Sequence, residues 1–362
     1  MIPMSRPTLG PEEEQAVLDV MRSGQLAQGE RVREFEQAFA EATGARFAVA
    51  TSSGSAALFL ALLAHGVGPG DEVITSPLTF IATANSIVHA GAVPVFADVG
   101  GSLGLDVEAA TALIGPRTRA VVPVHLHGNP CDMAALTALA ASHGLAVIQD
   151  ACQAVGAEVA GRPLGGHGTA VYSFYATKNL TTAEGGMVTT NDPQVAEACS
   201  AMRHQAYAGQ PYVHDRVGYN FRMTELQAAI GLAQLRRLPA ITERRRRIAS
   251  YYDEAIPPAP HVRPAVRPDA RHVYHQYTLR VPAANGGAGP ERDVTRERLA
   301  RAGVGTGVYY PVPVHLQPAY AGSAATRCPN AERASTDMYS IPVHHALSDA
   351  EVETVAQAVA AL

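Results

Sequence analysis

The chain has 362 residues, of which 47% are hydrophobic and 17% are charged, with a formal net charge of -5. These values are typical of a globular protein of one or two domains, and they exclude a broad basic surface for nucleic acid. No apolar run is long enough to span a membrane, and the 4 cysteines lack the paired spacing of a zinc or redox site, so we expect a cytoplasmic protein without a metal ion.

Short apolar runs alternate with amphipathic runs between about residues 45 and 190. This alternation predicts strands and helices in turn, which is typical of an α/β fold with a mainly parallel sheet flanked by helices. The predicted elements are, in order, ARFAVAT, SSGSAALFLALLAHG, EVITSP, TFIATANSIVHAG, AVPVFADV, RAVVPVHLHG, MAALTALAASHG and LAVIQD. Sheets of this kind bind ligands beyond the carboxyl ends of their strands.

The pattern changes after residue 165. TAVYSFYAT and GGMVTT are predicted as strands, and a long helix is predicted from TELQAAIGLAQLRRL to about residue 255. Within that helix, four consecutive arginines at 244–247 are interpreted as a solvated face. The strand HQYTLRV and the helices RERLARAG and SDAEVETVAQAVAAL then predict a smaller α+β unit. We predict a large domain of residues 1–240 and a smaller C-terminal domain of residues 241–362.

Lys178 is the only lysine in the chain, because every other residue counted among the 28 Lys and Arg is an arginine. An arginine serves equally well as a solvated charge. Only a lysine amine can lose its proton and form a Schiff base with a carbonyl compound or with pyridoxal phosphate, PLP. Chance retention explains one lysine equally well, so the neighbouring motifs must decide.

The segment LAVIQDACQAVG places Asp150 at the carboxyl end of a buried strand, with Gln153 three residues later. A buried carboxylate needs a partner, and the protonated ring nitrogen of PLP is such a partner. Gln153 can donate to the phenolate oxygen of the same ring. An aspartate after a strand also commonly caps a helix, so that ordinary role stays open.

The segment TSSGSAAL carries a strand into a small-residue turn that opens a helix at Gly54. Free backbone N–H groups at a helix start bind phosphate, and the hydroxyls of Ser55 and Ser173 can add hydrogen bonds. Phe80 can lie flat on an aromatic cofactor, although a core phenylalanine is the simpler alternative. Together with Lys178, these signals supply a phosphate cup, a partner for a pyridine ring and a Schiff-base amine.

These motifs resemble those of the DegT family of nucleotide-sugar aminotransferases, which are PLP-dependent enzymes with the aspartate-aminotransferase-like (type I) fold. The resemblance covers nearly the whole chain. It runs through SGQLAQGERVREFEQAFAEATG, SSGSAAL, PLTFIATANSIVHAGAVPVFADV, VHLHGNPCDM, VIQDACQAVGA, YSFYATKNL, EGGMVTT, GYNFRMTELQAAIG, GVYYPVPVHLQPAY and AERASTDMYSIPVHH.

The resemblance implies that Lys178 is the catalytic residue, which binds the cofactor and later moves a proton. It implies cofactor contacts at Gly54, Ser55, Ala56, Phe80, Asp150, Gln153 and Ser173. It also implies a homodimer with shared active sites, in which Asn220 of GYNFR serves the partner's cofactor. The carboxyl-terminal motif would face the sugar through Tyr309, Tyr310 and His315.

The reaction expected from the resemblance moves an amino group from glutamate or glutamine to a nucleotide-linked keto-deoxysugar, in amino-sugar biosynthesis. The GVYYPVPVHLQPAY segment favours a 3-keto sugar, while a 4-keto sugar or a keto-cyclitol stays open as the acceptor. A non-catalytic PLP-binding sensor and a PLP-dependent dehydratase are the alternatives from other classes. Lys178 argues against the dehydratase branch of the family, in which a histidine replaces this lysine. Tyr309 departs from the family pattern, which often has histidine there.

Overall fold

The computed structural model describes residues 1–207, 212–282, 291–321 and 327–362. The described residues form eleven α-helices, which are α1 Pro11–Ser23, α2 Glu30–Thr43, α3 Gly54–Ala64, α4 Ala82–His89, α5 Val107–Thr111, α6 Met133–His143, α7 Pro193–Arg203, α8 Glu225–Ala255, α9 Glu291–Arg301, α10 Pro329–Asp337 and α11 Asp349–Ala360. They also form twelve strands, which are β1 Phe47–Thr51, β2 Glu72–Thr75, β3 Val93–Phe96, β4 Thr118–Val122, β5 Ala146–Asp150, β6 Glu158–Val159, β7 Arg162–Pro163, β8 Thr169–Ser173, β9 Gly186–Thr190, β10 Ala270–Arg271, β11 Tyr277–Arg280 and β12 Met338–Ile341.

A seven-stranded sheet in the order β1-β9-β8-β5-β4-β2-β3 forms the centre of the molecule. The strand β9 runs antiparallel to both of its neighbours, β1 and β8, whereas the pairs from β8 to β3 are all parallel. The carboxyl ends of β1, β8, β5, β4 and β2 therefore meet at one edge of the sheet. The predicted α/β fold with a mainly parallel sheet is confirmed.

Alternate residues along the strands enter two different hydrophobic cores, because successive side chains of a strand point to opposite faces. On β8, Tyr172 belongs to the core that contains Phe35 and Phe39 of α2, and the Phe39 and Tyr172 rings are 5.0 Å apart. Val171 belongs to the core under α3, with Leu60. Both faces are thus covered, which holds the edge of the sheet in place.

The C-terminal part packs around a two-stranded antiparallel sheet of β11 and β12. Its core joins Tyr252 of α8 to Leu279, Tyr339 and Val355. The helix α8 begins at a capping box made by Thr224 and Gln227, and it continues without interruption past residue 240. The predicted domain boundary therefore lies inside a helix that packs on both α1 and α11, and the division stays a prediction.

No helix in the described ranges has both the length and the apolar character needed to cross a bilayer.

Candidate active site

The loops at the carboxyl edge of the sheet enclose a cavity of about 460 Å³. Gly54 follows β1, Asp150 ends β5, Ser173 ends β8, and Lys178 lies in the loop after β8. All four residues line the cavity. Residues far apart in the chain thus meet where an open α/β sheet binds its ligands.

The start of α3 forms one end of the cavity. The Ser53 side chain caps this helix and accepts a hydrogen bond from the Ala56 N–H at 3.1 Å. In the described part of the chain, the N–H groups of Gly54 and Ser55 have no such partner and remain available to an anion. Gly54 and Ser55 line the cavity, whereas Ala56 does not.

Two glycines allow the chain segments around this helix start to approach closely. A Cβ atom on Gly54 would lie 2.8 Å from Cβ of Ser173, and one on Gly186 would lie 2.3 Å from the carbonyl oxygen of Ser53. Gly186 of EGGMVTT is therefore a position at which only glycine allows so close an approach. Ser173 is brought beside the free N–H groups, as the phosphate prediction requires.

The Asp150 carboxylate is 6% exposed and has two hydrogen-bond donors. Thr83 Oγ1 donates to Oδ2 at 2.7 Å, and the Cys152 N–H donates to Oδ1 at 3.1 Å. No helix follows directly, so the alternative of a helix cap is wrong. Asp150 has no ion-pair partner among the described residues, and each oxygen can accept a further hydrogen bond.

Gln153 holds a defined orientation beside Asp150. Its Oε1 accepts a hydrogen bond from the His127 N–H at 2.7 Å, and its Nε2 donates to the Tyr310 hydroxyl at 3.1 Å. The Tyr310 ring lies 6.0 Å from that of Phe80. Phe80 is 57% exposed and lines the cavity, so the alternative of a core phenylalanine is wrong.

Lys178 lines the same cavity and has neither an ion pair nor a side-chain hydrogen bond in the described structure. Burial lowers the pKa of its ammonium, against smaller opposing effects of Cys152 and Asp150. A lower pKa increases the fraction of free amine, which is the nucleophilic form. Lys178 is therefore not a solvated surface cation.

The structure adds residues that the sequence did not single out. Thr83 orients Asp150 through a hydrogen bond. In the sequence, the only indication of this role is that Thr83 lies three residues after Phe80. His127 donates from Nε2 to the Tyr309 carbonyl at 3.1 Å, and burial lowers the pKa of His127 to about 4, which keeps it neutral. His275 and Arg245 also line the cavity.

Arg245 corrects the interpretation of the four arginines as a solvated face. Its side chain is 4% exposed. The helical period of 3.6 residues places it on the same face as Ile241, Ile248 and Tyr252, which are all buried. Because the four residues are identical, the sequence alone does not show which of them faces the interior.

The remaining predicted residues divide between the cavity and its surroundings. Tyr309 and Tyr310 line the cavity. His315 does not line the cavity. Its Nε2 lies 3.2 Å from Oε1 of Glu332. Asn220 is exposed and lies outside the cavity lining. The contacts of His315 with a sugar and of Asn220 with a partner subunit stay predictions.

Residues 7–360 match the model of the DegT/DnrJ/EryC1/StrS aminotransferase family. The chain belongs to this family. It is 42% identical to the spore coat polysaccharide biosynthesis protein SpsC of Bacillus subtilis (strain 168), over 99% of this chain and 96% of SpsC. It is 39% identical to the GDP-perosamine synthase of Caulobacter vibrioides, over 98% and 96% of the two chains. The structure of S. venezuelae DesV matches with a TM-score of 0.92 and 37% identity, over 97% of this chain and 94% of DesV.

Members of this family are sugar aminotransferases that depend on PLP, and the protein is accordingly a PLP-dependent aminotransferase. The predicted family and enzyme class are confirmed. The cavity fits this cofactor chemically, because it offers the Asp150 carboxylate and the Lys178 amine, which have no ion-pair partner among the described residues, and the N–H groups of Gly54 and Ser55 at the start of α3.

Proposed function

We propose that the protein transfers an amino group from glutamate or glutamine to a nucleotide-linked keto-deoxysugar, with a 3-keto sugar as the favoured acceptor. The observation that supports this most is the placement of Lys178 and Asp150 in one cavity, without an ion-pair partner in the described residues. A carboxylate and an amine without ion-pair partners are costly in a partly desolvated site. A ligand that binds both groups would remove this cost.

The residues present would hold PLP from three sides. Gly54, Ser55 and Ser173 would bind its phosphate, and Asp150 would hold the proton on its ring nitrogen. Gln153 would donate to the ring hydroxyl oxygen through Nε2, and Phe80 would cover the ring. When bound there, PLP supplies the electron sink for a carbanion at the substrate carbon.

Lys178 would move the proton in each half of the reaction. Its Nζ would accept a proton from the α-carbon of the amino donor as a general base, and would then donate it to the cofactor as a general acid. The lowered pKa of Lys178 suits this role, because a base of ordinary lysine basicity stays protonated at neutral pH. The hydrogen bonds of Asp150 and Gln153 keep both side chains in one orientation during the transfer.

The nucleotide-linked acceptor is supported by the similarity to GDP-perosamine synthase, whose name specifies a GDP-sugar product. The preference for a 3-keto sugar rests on the resemblance of the GVYYPVPVHLQPAY segment alone. Tyr309 and Tyr310 are the residues of this segment that line the cavity. A 4-keto sugar or a keto-cyclitol is the alternative acceptor.

We also propose a homodimer in which Asn220 serves the partner's cofactor. Three exposed apolar side chains precede Asn220 closely, with 86% of Tyr212, 49% of Val213 and 80% of Val217 exposed. Apolar side chains exposed to this degree within a short segment are typical of a surface that another chain covers. The cytoplasmic location stays a prediction of the sequence.

The proposed function is tested with nitrogen-labelled glutamate and a panel of dTDP- and GDP-linked keto-deoxysugars. Mass spectrometry should find a labelled amino sugar as the product. A deoxygenated sugar without label would establish the dehydratase instead. Failure of both glutamate and glutamine to convert the bound cofactor to pyridoxamine phosphate in a single turnover would support the non-catalytic sensor.

A further inference from the structure

Arg245 is a buried cation that forms no ion pair with any residue that the structure describes. Its Nη1 donates to the carbonyl oxygens of Tyr274 at 2.9 Å and His275 at 3.4 Å, and its buried Nε has no hydrogen-bond partner. No carboxylate of the described residues forms an ion pair with it, although most other arginines of α8 and its surroundings have one. A desolvated charge without a counter-ion is costly, and a bound anionic ligand would offset that cost.

The side chain remains a cation at neutral pH. Burial lowers the pKa of Arg245, but only to about 10. The neighbouring His344 and His345 have a pKa of about 4, lowered first by burial and then by Arg245, so they do not share a proton with it. This end of the cavity is therefore positive.

Arg245 lies close to the reactive amine. It lines the main cavity together with Lys178, and both residues also line a small cavity beside it. The charges of Lys178 and Arg245 both lower the pKa of His275 after burial has done so, which places both near that ring. The α-carboxylate of an amino donor is bonded to the carbon that carries the reacting nitrogen, so it must lie near Lys178.

We propose that Arg245 binds the α-carboxylate of the amino donor, an inference that rests on the aminotransferase function proposed above. Glutamate and glutamine share this group, so one arginine serves both donors. The planar guanidinium suits a carboxylate because it can donate two parallel hydrogen bonds.

Two other anions fit the position less well. The cofactor phosphate already has the N–H groups of Gly54 and Ser55 and the hydroxyl of Ser173 at the start of α3. A nucleotide diphosphate is much larger than an amino acid and must reach the cavity mouth, whereas Arg245 is 4% exposed. The depth of the side chain favours the small ligand.

The test measures binding of glutarate, a dicarboxylate that cannot react, to the PLP-loaded enzyme by calorimetry. The variant Arg245→Gln should weaken glutarate binding about 10- to 100-fold, the loss expected for a hydrogen bond to a charged group. Arg245→Lys, which keeps the charge but loses the planar fork, should lose less. The control is Arg246→Gln, because Arg246 is the next residue of α8 and also donates to a backbone carbonyl, that of His272 at 3.0 Å, but does not line the cavity.

Three further measurements distinguish binding of the donor α-carboxylate from binding of the cofactor phosphate, the nucleotide diphosphate or the γ-carboxylate. Binding of PLP to the apoenzyme and of dTDP to the holoenzyme should be the same in Arg245→Gln and wild type. Loss of PLP or dTDP affinity with glutarate binding retained would overturn the proposal, as would glutarate binding unchanged in the variant. In single turnovers, the apparent affinities for L-glutamate and L-glutamine should fall equally. A loss confined to glutamate would assign Arg245 to the γ-carboxylate and overturn the α-carboxylate assignment.

The wild-type enzyme provides a test that does not depend on folding of a variant. It should bind glutarate at least about 10-fold more tightly than the uncharged glutaramide, and equal binding would overturn the proposal. Failure of the proposed function would be seen in a different measurement, as absence of cofactor conversion by both glutamate and glutamine in the wild-type enzyme. Glutarate binding does not require that conversion.

Discussion

Oγ1 of Thr83 lies 2.7 Å from Oδ2 of Asp150 and donates a hydrogen bond to it. The same hydroxyl lies 2.8 Å from Oγ1 of Thr79. The single hydroxyl hydrogen of Thr83 belongs to Asp150, because this carboxylate is charged and nearer than the other acceptor, the Phe80 carbonyl at 3.2 Å. Thr79 therefore donates to Thr83. The relationship fixes the carboxylate that would hold the ring nitrogen of the cofactor.

Thr83→Val should therefore lower kcat about 10-fold, since a hydrogen bond to a charged group contributes about 1.5–3 kcal/mol. The substitution keeps the shape of the side chain, so the free energy of unfolding should change little beyond that bond. Steady-state kinetics measure the effect. Thr79→Val is the matched control, because it leaves the bond to Asp150 intact, and an equal loss in both variants would contradict the assignment.

Lys178→Ala should remove the absorbance of the lysine-bound cofactor and lower transamination by at least about 100-fold, because the proton-transfer group is lost. The fold should remain, since the Lys178 side chain makes no hydrogen bond in the described structure. Absorbance, kinetics and circular dichroism provide the three measurements. Lys178→Arg keeps the charge and should fail in the same way; turnover retained in either variant would refute the catalytic role.

The stability of the apoenzyme should depend on pH through Lys178. Its pKa is lowered in the folded protein and returns to an ordinary value of 10.5 on unfolding. Between the two values the unfolded chain binds more protons, so stability rises with pH in that window. Lys178→Met should be more stable than wild type near neutral pH, and its advantage should shrink as pH approaches 10.5. Urea unfolding at several pH values measures this, and a constant difference would contradict it.

Gly186→Ala should lower the free energy of unfolding by about 1–3 kcal/mol, the typical cost of a forced close contact. The added methyl would meet the Ser53 carbonyl, which also belongs to the phosphate turn, so PLP affinity should fall as well. Gly68→Ala is the control, because nothing lies within 4 Å of its added Cβ. Urea unfolding and PLP titration give the two values, and similar losses in both variants would exclude a specific contact.

Mixed dimers test the shared site. Lys178→Ala and Asn220→Ala subunits should each have low activity alone, with Asn220→Ala reduced about 10-fold for a lost hydrogen bond to a charged group. Mixing them under conditions of subunit exchange should restore activity, because one site of each mixed dimer then has both wild-type residues. No recovery in mixtures that are shown to contain mixed dimers would place Asn220 in the site of its own subunit.

The meeting of Asp150, Ser173 and Gly54 in one cavity could be predicted from the sequence because each lies at the end of a strand or shortly after it. Asp150, Ser173 and Gly54 follow apolar runs of four or five residues, and parallel strands bring such ends together. The alternation of apolar and amphipathic runs was sufficient for the sheet. The position of β9 between β1 and β8 was not, because strand order depends on contacts between distant parts of the chain.

Arg245 and Thr83 escaped prediction for a physical reason. Arginine at a helix surface and threonine near a helix start have ordinary roles, and only tertiary packing shows that these two side chains face a cavity. The contact of His315 with a sugar stays a prediction. A motif placed it with Tyr309 and Tyr310, yet its ring packs against Phe96, 6.1 Å away between centroids, and pairs with Glu332.

The hairpin of β8 and β9 joins the lysine loop directly to the strand that pairs with β1. Lys178 and the turn at the start of α3 are thereby anchored to the same three strands, whereas Tyr309 and Tyr310 come from a separate part of the chain. Gln153 donates to the Tyr310 hydroxyl, so a change at Tyr310 would reach a proposed cofactor contact, whereas a change of the Tyr309 side chain would leave that hydrogen bond in place. Under the proposed function, acceptor specificity would evolve mainly through the segment of Tyr309 and Tyr310, while the strands that hold Lys178 stay in place.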